Sequence, residues 1–128
     1  MAELNKILYA EDEPDIQAIA KMALETVGGF EVVICNSGLE AVEKAPDANP
    51  DLILLDVMMP GLDGPETLER LRQIDSLKET PVIFLTAKAM TTEVERFLKA
   101  GAIAVVAKPF NPMTLSDQLR EIWTENGY

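Results

Sequence analysis

Apolar runs alternate with helix-period stretches along the whole chain. The first run is Ile7-Leu8-Tyr9-Ala10. Behind it, Ile16, Ile19, Ala20, Ala23 and Val27 recur at the spacing that lines up one stripe of a helix, which predicts a helix from Pro14 to Val27. Pro14 suits a first turn, where no backbone N–H is needed, and Glu13 and Asp15 lie at the positive end of the dipole. Gly28-Gly29 ends the helix. The second run is Phe30 to Cys35. Ser37 then caps a short helix reaching Ala45, with Glu40 as its capping-box partner, and Pro46 and Pro50 bracket a loop.

The third run, Leu52-Ile53-Leu54-Leu55, has no polar alternation, as expected of a central parallel strand covered on both faces. Pro60, Gly61, Asp63 and Gly64 mark a turn-rich loop, followed by a helix through Leu68, Leu71 and Ile74. The fourth run is Val82-Ile83-Phe84-Leu85, and the helix after it carries Val94, Phe97 and Leu98 and stops at Gly101. The fifth run is Ile103 to Ala107, and the last helix carries Leu115, Leu119 and Ile122. Five such units with no break in composition predict one α/β domain over residues 1–128, a parallel sheet with helices on both faces.

Composition narrows the chemistry. With 128 residues, 48% of them apolar, the chain suits one globular domain with an ordinary core. Its net charge of −11 repels nucleic acid and anionic membrane surfaces, so cations and basic protein surfaces are the expected partners. No apolar stretch approaches the roughly 18 residues of a membrane span, and Met1-Ala2-Glu3-Leu4 does not begin a signal peptide. A single cysteine, Cys35, cannot form an internal disulfide; the expectation is a cytoplasmic protein with no membrane contact. The absence of histidine excludes Ser-His-Asp and Cys-His catalysis within the chain and any His-ligated zinc. A bound metal must therefore be held by oxygen, which favours Mg²⁺, Mn²⁺ or Ca²⁺.

In an open parallel sheet, sites form beyond the carboxyl ends of the strands. The first run ends in Glu11-Asp12-Glu13, the third in Asp56, the fourth in Thr86 and the fifth in Lys108-Pro109. Singly, each has a plainer role: Glu13 as a helix cap, Asp56 as a turn residue, Lys108-Pro109 as nothing in particular. Together on one rim they crowd carboxylates that a divalent cation would neutralise. An ammonium and a hydroxyl donor stand beside them. That set suits a phosphoryl group, with Asp56 as the nucleophile.

Glu11-Asp12-Glu13-Pro14-Asp15, Leu54 through Gly64, Thr86-Ala87 and Lys108-Pro109-Phe110 are, in that order and spacing, similar to the receiver domains of bacterial two-component response regulators. The resemblance spans the chain. It implies a flavodoxin-like, doubly wound (βα)5 sheet of strand order 2-1-3-4-5. It implies a signalling switch in a phosphorelay rather than an enzyme. Asp56 resembles the phospho-acceptor, and Mg²⁺ or Mn²⁺ would be held by Asp12, Asp56 and the Met58 backbone carbonyl, with Glu11 reaching it through water. Lys108 would pair with the phosphoryl oxygens, Thr86 would move to donate to them, and Ala87 would leave room for them. The Lys108-Pro109 bond would be cis. The donor would be a phosphohistidine on a sensor histidine kinase or a histidine phosphotransfer protein, and the output a downstream protein target.

Two departures from the family pattern stand out, at Glu11 and Val105, and Met58 and Lys88 flank the pocket where relatives tune hydrolysis. Glu11 occupies a position where Asp is common. Val105 stands where many relatives carry a Tyr or Phe that rotates inward when the Thr moves, so an aromatic relay cannot operate. The expected signal route is then the loop after Thr86 and the helix beyond it. Met58 offers no side-chain hydrogen bond to an attacking water, which favours slow dephosphorylation, and Lys88 is expected in solvent. No output domain follows the last helix, so the chain is expected to act by binding, through Met90, Val105, Phe110, Met113 and Trp123.

Competing readings are weaker. A phosphohydrolase with an aspartyl nucleophile places a second Asp two residues on, where this chain has Met58. A flavin- or nucleotide-binding protein lacks support from any Gly-rich loop after the first run. A receiver belonging to a larger hybrid kinase has the same residues.

Overall fold

The computed structural model describes residues 3–128. Five parallel strands form one sheet in the order β2-β1-β3-β4-β5. They are β1 (Lys6–Ala10), β2 (Glu31–Cys35), β3 (Leu52–Asp56), β4 (Val82–Thr86) and β5 (Ala104–Ala107). The helices are α1 (Pro14–Lys21), α2 (Gly38–Ala48), α3 (Gly64–Leu71), α4 (Thr91–Lys99) and α5 (Leu115–Glu125). This is the doubly wound, flavodoxin-like architecture and strand order the sequence resemblance implies.

Alternation along the strands divides the core into two layers, because successive side chains point to opposite faces. Leu8, Ala10, Ile53, Leu55, Val82 and Phe84 pack with residues of α2, α3 and α4. Ile7, Tyr9, Leu52, Leu54, Ile83 and Leu85 pack with residues of α1 and α5. Every residue of β3 and β4 is buried, as the unbroken apolar runs require of central strands. Because parallel pairing aligns β1, β3, β4 and β5 in one direction, their last residues open onto one rim.

Several local expectations are corrected. The first helix reaches Val27, but only Pro14–Lys21 is α-helical; Met22–Val27 winds in wider π turns. The widening changes which face the segment beyond Lys21 turns to the core. Ala20, Ala23 and Leu24 are buried, whereas Ile19 and Val27, both expected on the core face, are exposed. Helix α5 docks against this segment. The Ser116 hydroxyl donates to the Ala23 carbonyl at 2.7 Å, and a Cβ on Gly28 would lie only 2.0 Å from Ser116 Oγ.

Glu13 occupies the N-cap of α1, yet its side chain makes no capping hydrogen bond. Ser37 does cap α2, accepting from the Glu40 N–H at 3.1 Å, but Glu40 reaches past Ser37 to the Asn36 N–H. A complete capping box forms instead at Asp63 and Glu66, at the start of α3. Helix α2 continues through Pro46 to Ala48 and ends where Asn49 takes a left-handed conformation, φ 47°. Helix α3 stops at Leu71, before Ile74. There the Arg72 guanidinium satisfies the Leu77 and Thr80 carbonyls, both at 2.7 Å, and holds a 3₁₀ turn at Asp75–Leu77. Strands β2 and β5 each begin one residue later than the apolar run suggests.

Candidate functional site

The backbone brings the rim residues together before any side chain acts. The Glu11 N–H donates to the Cys35 carbonyl, the Val57 N–H to Leu85 and the Lys108 N–H to Thr86, at 3.0, 3.0 and 2.8 Å. These bonds carry the sheet's ladder one residue beyond β1, β3 and β5. Gly64 closes the loop after β3. Its N–H donates to the Val57 carbonyl at 2.9 Å, and a Cβ there would lie 2.9 Å from the Val57 Cα. Only glycine permits that approach. The Lys108-Pro109 peptide is cis, as expected.

Three of the rim groups form a tight ionic cluster. Glu11 is fully buried and Asp56 is 3% exposed. The Lys108 ammonium lies 2.9 Å from Glu11 Oε1 and 3.1 Å from Asp56 Oδ1. Asp12 is half-buried beside them, and the carboxylate oxygens of Glu11, Asp12 and Asp56 all lie within 4.8 Å of one another. Three carboxylates thus face one ammonium. A set of hard oxygen donors with an excess of negative charge fits Mg²⁺ or Mn²⁺. The expectation of an oxygen-ligated divalent cation is consistent with this donor set.

The titration behaviour follows from the crowding. Burial pushes Asp56 up to about 7, and the neighbouring Glu11 carboxylate pushes the same way. Burial alone would also raise Glu11. Hydrogen bonds to it from Asp56, Lys108 and Tyr9 outweigh that and hold Glu11 below the ordinary carboxylate range. Burial would depress the Lys108 ammonium, but its hydrogen bonds to Glu11 and Asp56 keep it above its ordinary value.

Thr86 ends β4 with 2% exposure, and its Oγ1 accepts the Lys88 N–H at 3.0 Å. The Met58 N–H donates to Asp56 Oδ1 at 3.3 Å, while the Met58 side chain is exposed. Ala87, Lys108 and Pro109 line a shallow apolar cleft of about 300 Å³ with Ile16, Ile19 and Phe110. Lys88 is exposed, as expected. Val105 is half-buried against the core layer of α2, α3 and α4. Of the residues expected on an output face, Met90 and Met113 are exposed and Phe110 is half-buried. Trp123 is buried in the other core layer, its ring 4.9 Å from that of Tyr128, and is not available to a partner.

Two residues at the site escaped the sequence reading. The hydroxyl of Tyr9, buried in β1, donates to Glu11 Oε1 at 3.0 Å. Gln17, on α1, donates to the Glu11 carbonyl and, at 2.8 Å, to Asn36 Oδ1, tying the ends of β1 and β2 together. Tyr9 carried a signal: it lies two residues before Glu11, on the same side of an extended segment. Gln17 carried none, since a polar residue on a helix ordinarily faces solvent.

Similarity to known proteins points the same way. The family described as "Response regulator receiver domain" matches residues 7–120. The chain is 40% identical over 125 residues to the uncharacterized transcriptional regulatory protein YkoG of Bacillus subtilis, covering 98% of this chain and 54% of that one. It is 38% identical over 127 residues to the transcriptional regulatory protein CpxR of Escherichia coli, covering 95% and 53%. The chain spans about half the length of these curated relatives. Among solved structures, the Vibrio cholerae chemotaxis protein CheY4 matches with a TM-score of 0.86 at 32% identity, covering 94% of this chain and 99% of that one.

The raised pKa of Asp56 has a sign that can be checked. Below its unfolded value of 3.8 both states hold the proton; between 3.8 and about 7 the folded state retains a proton that the unfolded state has released. Stability therefore falls as pH rises through that window, and the whole penalty is present above it. In cation-free protein near pH 8, Asp56→Asn is expected to raise the melting temperature, by about 4 °C for each kcal/mol of burial and repulsion penalty removed. Calorimetric melts should show the gain shrink near pH 5 and in excess Mg²⁺. A lower melting temperature for the variant near pH 8 would contradict this account of the cluster.

Proposed function

The chain belongs to the receiver-domain family of two-component response regulators, and from that premise we propose that Asp56 accepts a phosphoryl group from a phosphohistidine on a partner. The observation that carries the proposal is the buried cluster in which Asp56 and Glu11 share the Lys108 ammonium beside Asp12. A divalent cation held by Asp12, Asp56 and the Met58 carbonyl would neutralise the excess negative charge and polarise the phosphoryl oxygens. Glu11 would support it from the neighbouring position, through water. Magnesium suits the site, and manganese is the alternative.

The chain's own residues supply the rest. Asp56 attacks phosphorus as an ionised carboxylate; the new O–P bond forms as the P–N bond to the donor imidazole breaks, and the electron pair stays on that nitrogen. Lys108 already contacts Asp56 Oδ1 and is placed to pair with the phosphoryl oxygens carried there. Ala87 and Pro109 line the cleft beside Lys108, and Ala87 adds no bulk there. The apolar cleft beside Lys108 supports docking of a sensor histidine kinase or phosphotransfer protein at this rim. Residues 1–128 act as one receiver unit. Its chemistry is limited to taking up and losing the phosphoryl group, because Met58 cannot serve as the acid/base that a phosphohydrolase needs at that position.

Switching starts at Thr86. Its hydroxyl oxygen now accepts the Lys88 N–H; turning to the phosphoryl group gives up that bond and releases residues 87–90 ahead of α4. Val105 has no ring to follow it. The output is a changed protein-binding surface around α4. The net charge of −11 makes direct contact between this chain and nucleic acid unfavourable.

Mass spectrometry after acetyl phosphate and Mg²⁺ should show a single added phosphoryl group, lost in Asp56→Asn; retention in that variant would refute the assignment. Nuclear magnetic resonance with and without beryllofluoride tests the switch. The expected shifts fall in residues 87–100. Shifts confined to β5 would rule out the Thr86 route.

A further inference from the structure

Glu11 is longer by one methylene than the Asp common at its position, and the structure accounts for the extra length. Its Oε1 atom receives two donors, the Tyr9 hydroxyl at 3.0 Å and the Lys108 ammonium at 2.9 Å. The Glu13 N–H stands 3.4 Å from Oε2. Lys108 in turn reaches Asp56 Oδ1 at 3.1 Å. A continuous chain of contacts therefore runs from a core tyrosine to the proposed acceptor.

Tyr9 is fully buried in the layer formed by Ile7, Leu52, Leu54 and Ile83. A phenol in that setting requires a partner for its hydroxyl. Tyr9 and Glu11 lie two residues apart on an extended segment and project to one side of the sheet. An Asp in place of Glu11 would withdraw the carboxylate by about one C–C bond, about 1.5 Å. A contact of 3.0 Å would not survive that retreat. Phe in place of Tyr9 would keep the ring and remove the donor. Each change severs the same bond from opposite ends.

We propose that Tyr9 is a positioning residue for phosphoryl capture: its hydroxyl fixes the Glu11 carboxylate, and through the shared Oε1 atom fixes the Lys108 ammonium beside Asp56. The proposal rests on the phosphoryl-acceptor reading of the site. It makes Tyr9 and Glu11 an interdependent pair, in which the longer acid and the tyrosine compensate for each other. A tyrosine with a merely structural role would contribute to stability without influencing what the rim binds.

A double-mutant cycle separates the two roles, read as beryllofluoride affinity by calorimetry at saturating Mg²⁺, alongside the melting temperature. Tyr9→Phe is expected to weaken beryllofluoride binding about five- to tenfold, the equivalent of one lost hydrogen bond. Glu11→Asp should cost a similar factor. In the Glu11→Asp background, Tyr9→Phe should add less than about twofold. An unchanged affinity in Tyr9→Phe with a lowered melting temperature would overturn the positioning role, as would equal losses in both backgrounds. Absence of beryllofluoride binding to the unsubstituted protein would overturn the reading of the site itself, and this inference with it.

Discussion

Two buried carboxylates, Glu11 and Asp56, share one ammonium, that of Lys108. Much of the rim is organised around this interaction. Removing the lysine would leave two charges in the protein interior with no counter-ion, a costly state. With it, the cluster is tolerable but still short of positive charge, since Asp12 adds a third carboxylate within reach. Burial first, and the neighbouring Glu11 carboxylate second, raise the Asp56 pKa. The deficit also makes the rim receptive to a divalent cation, and beyond that to an anion held between cation and lysine.

The fold delivers these groups by simple geometry. Parallel pairing sends the ends of β1, β3, β4 and β5 to the same edge, and they contribute, in that order, acids, a further carboxylate, a hydroxyl and an ammonium. The two core layers hold the central strands rigidly on both faces, so the rim groups inherit fixed positions from buried backbone. Thr86 is the exception. Among the described residues its hydroxyl oxygen is engaged only by the Lys88 N–H, a bond that can be exchanged at small cost because the following loop lies exposed. In the switch proposed above, rigidity at Asp56 and looseness after Thr86 are complementary parts.

The element order and the rim were legible in the sequence because both depend on short-range signals. Unbroken apolar runs identify central parallel strands, and the residue that ends each run identifies the rim. Features set by packing between distant segments were not legible. The π turns at Met22–Val27 lie where α5 docks, Ser116 meeting Ala23 and Gly28, so periodicity alone misplaces Val27. Pro46 marks a helix end by residue type alone, and nothing local signals the left-handed turn at Asn49 that ends the helix later. At the site, the carboxylates and the lysine announced themselves by type and place, whereas Tyr9 reads as one more core residue until Glu11 is seen to reach it.

The charge deficit at the rim is the central claim, and a Mg²⁺ titration of the isolated chain tests it most directly. Calorimetry at neutral pH should find one cation per chain, with affinity falling at least about tenfold in Asp12→Asn, which removes one ligating charge. Absence of saturable binding, or binding indifferent to Asp12, would contradict the account.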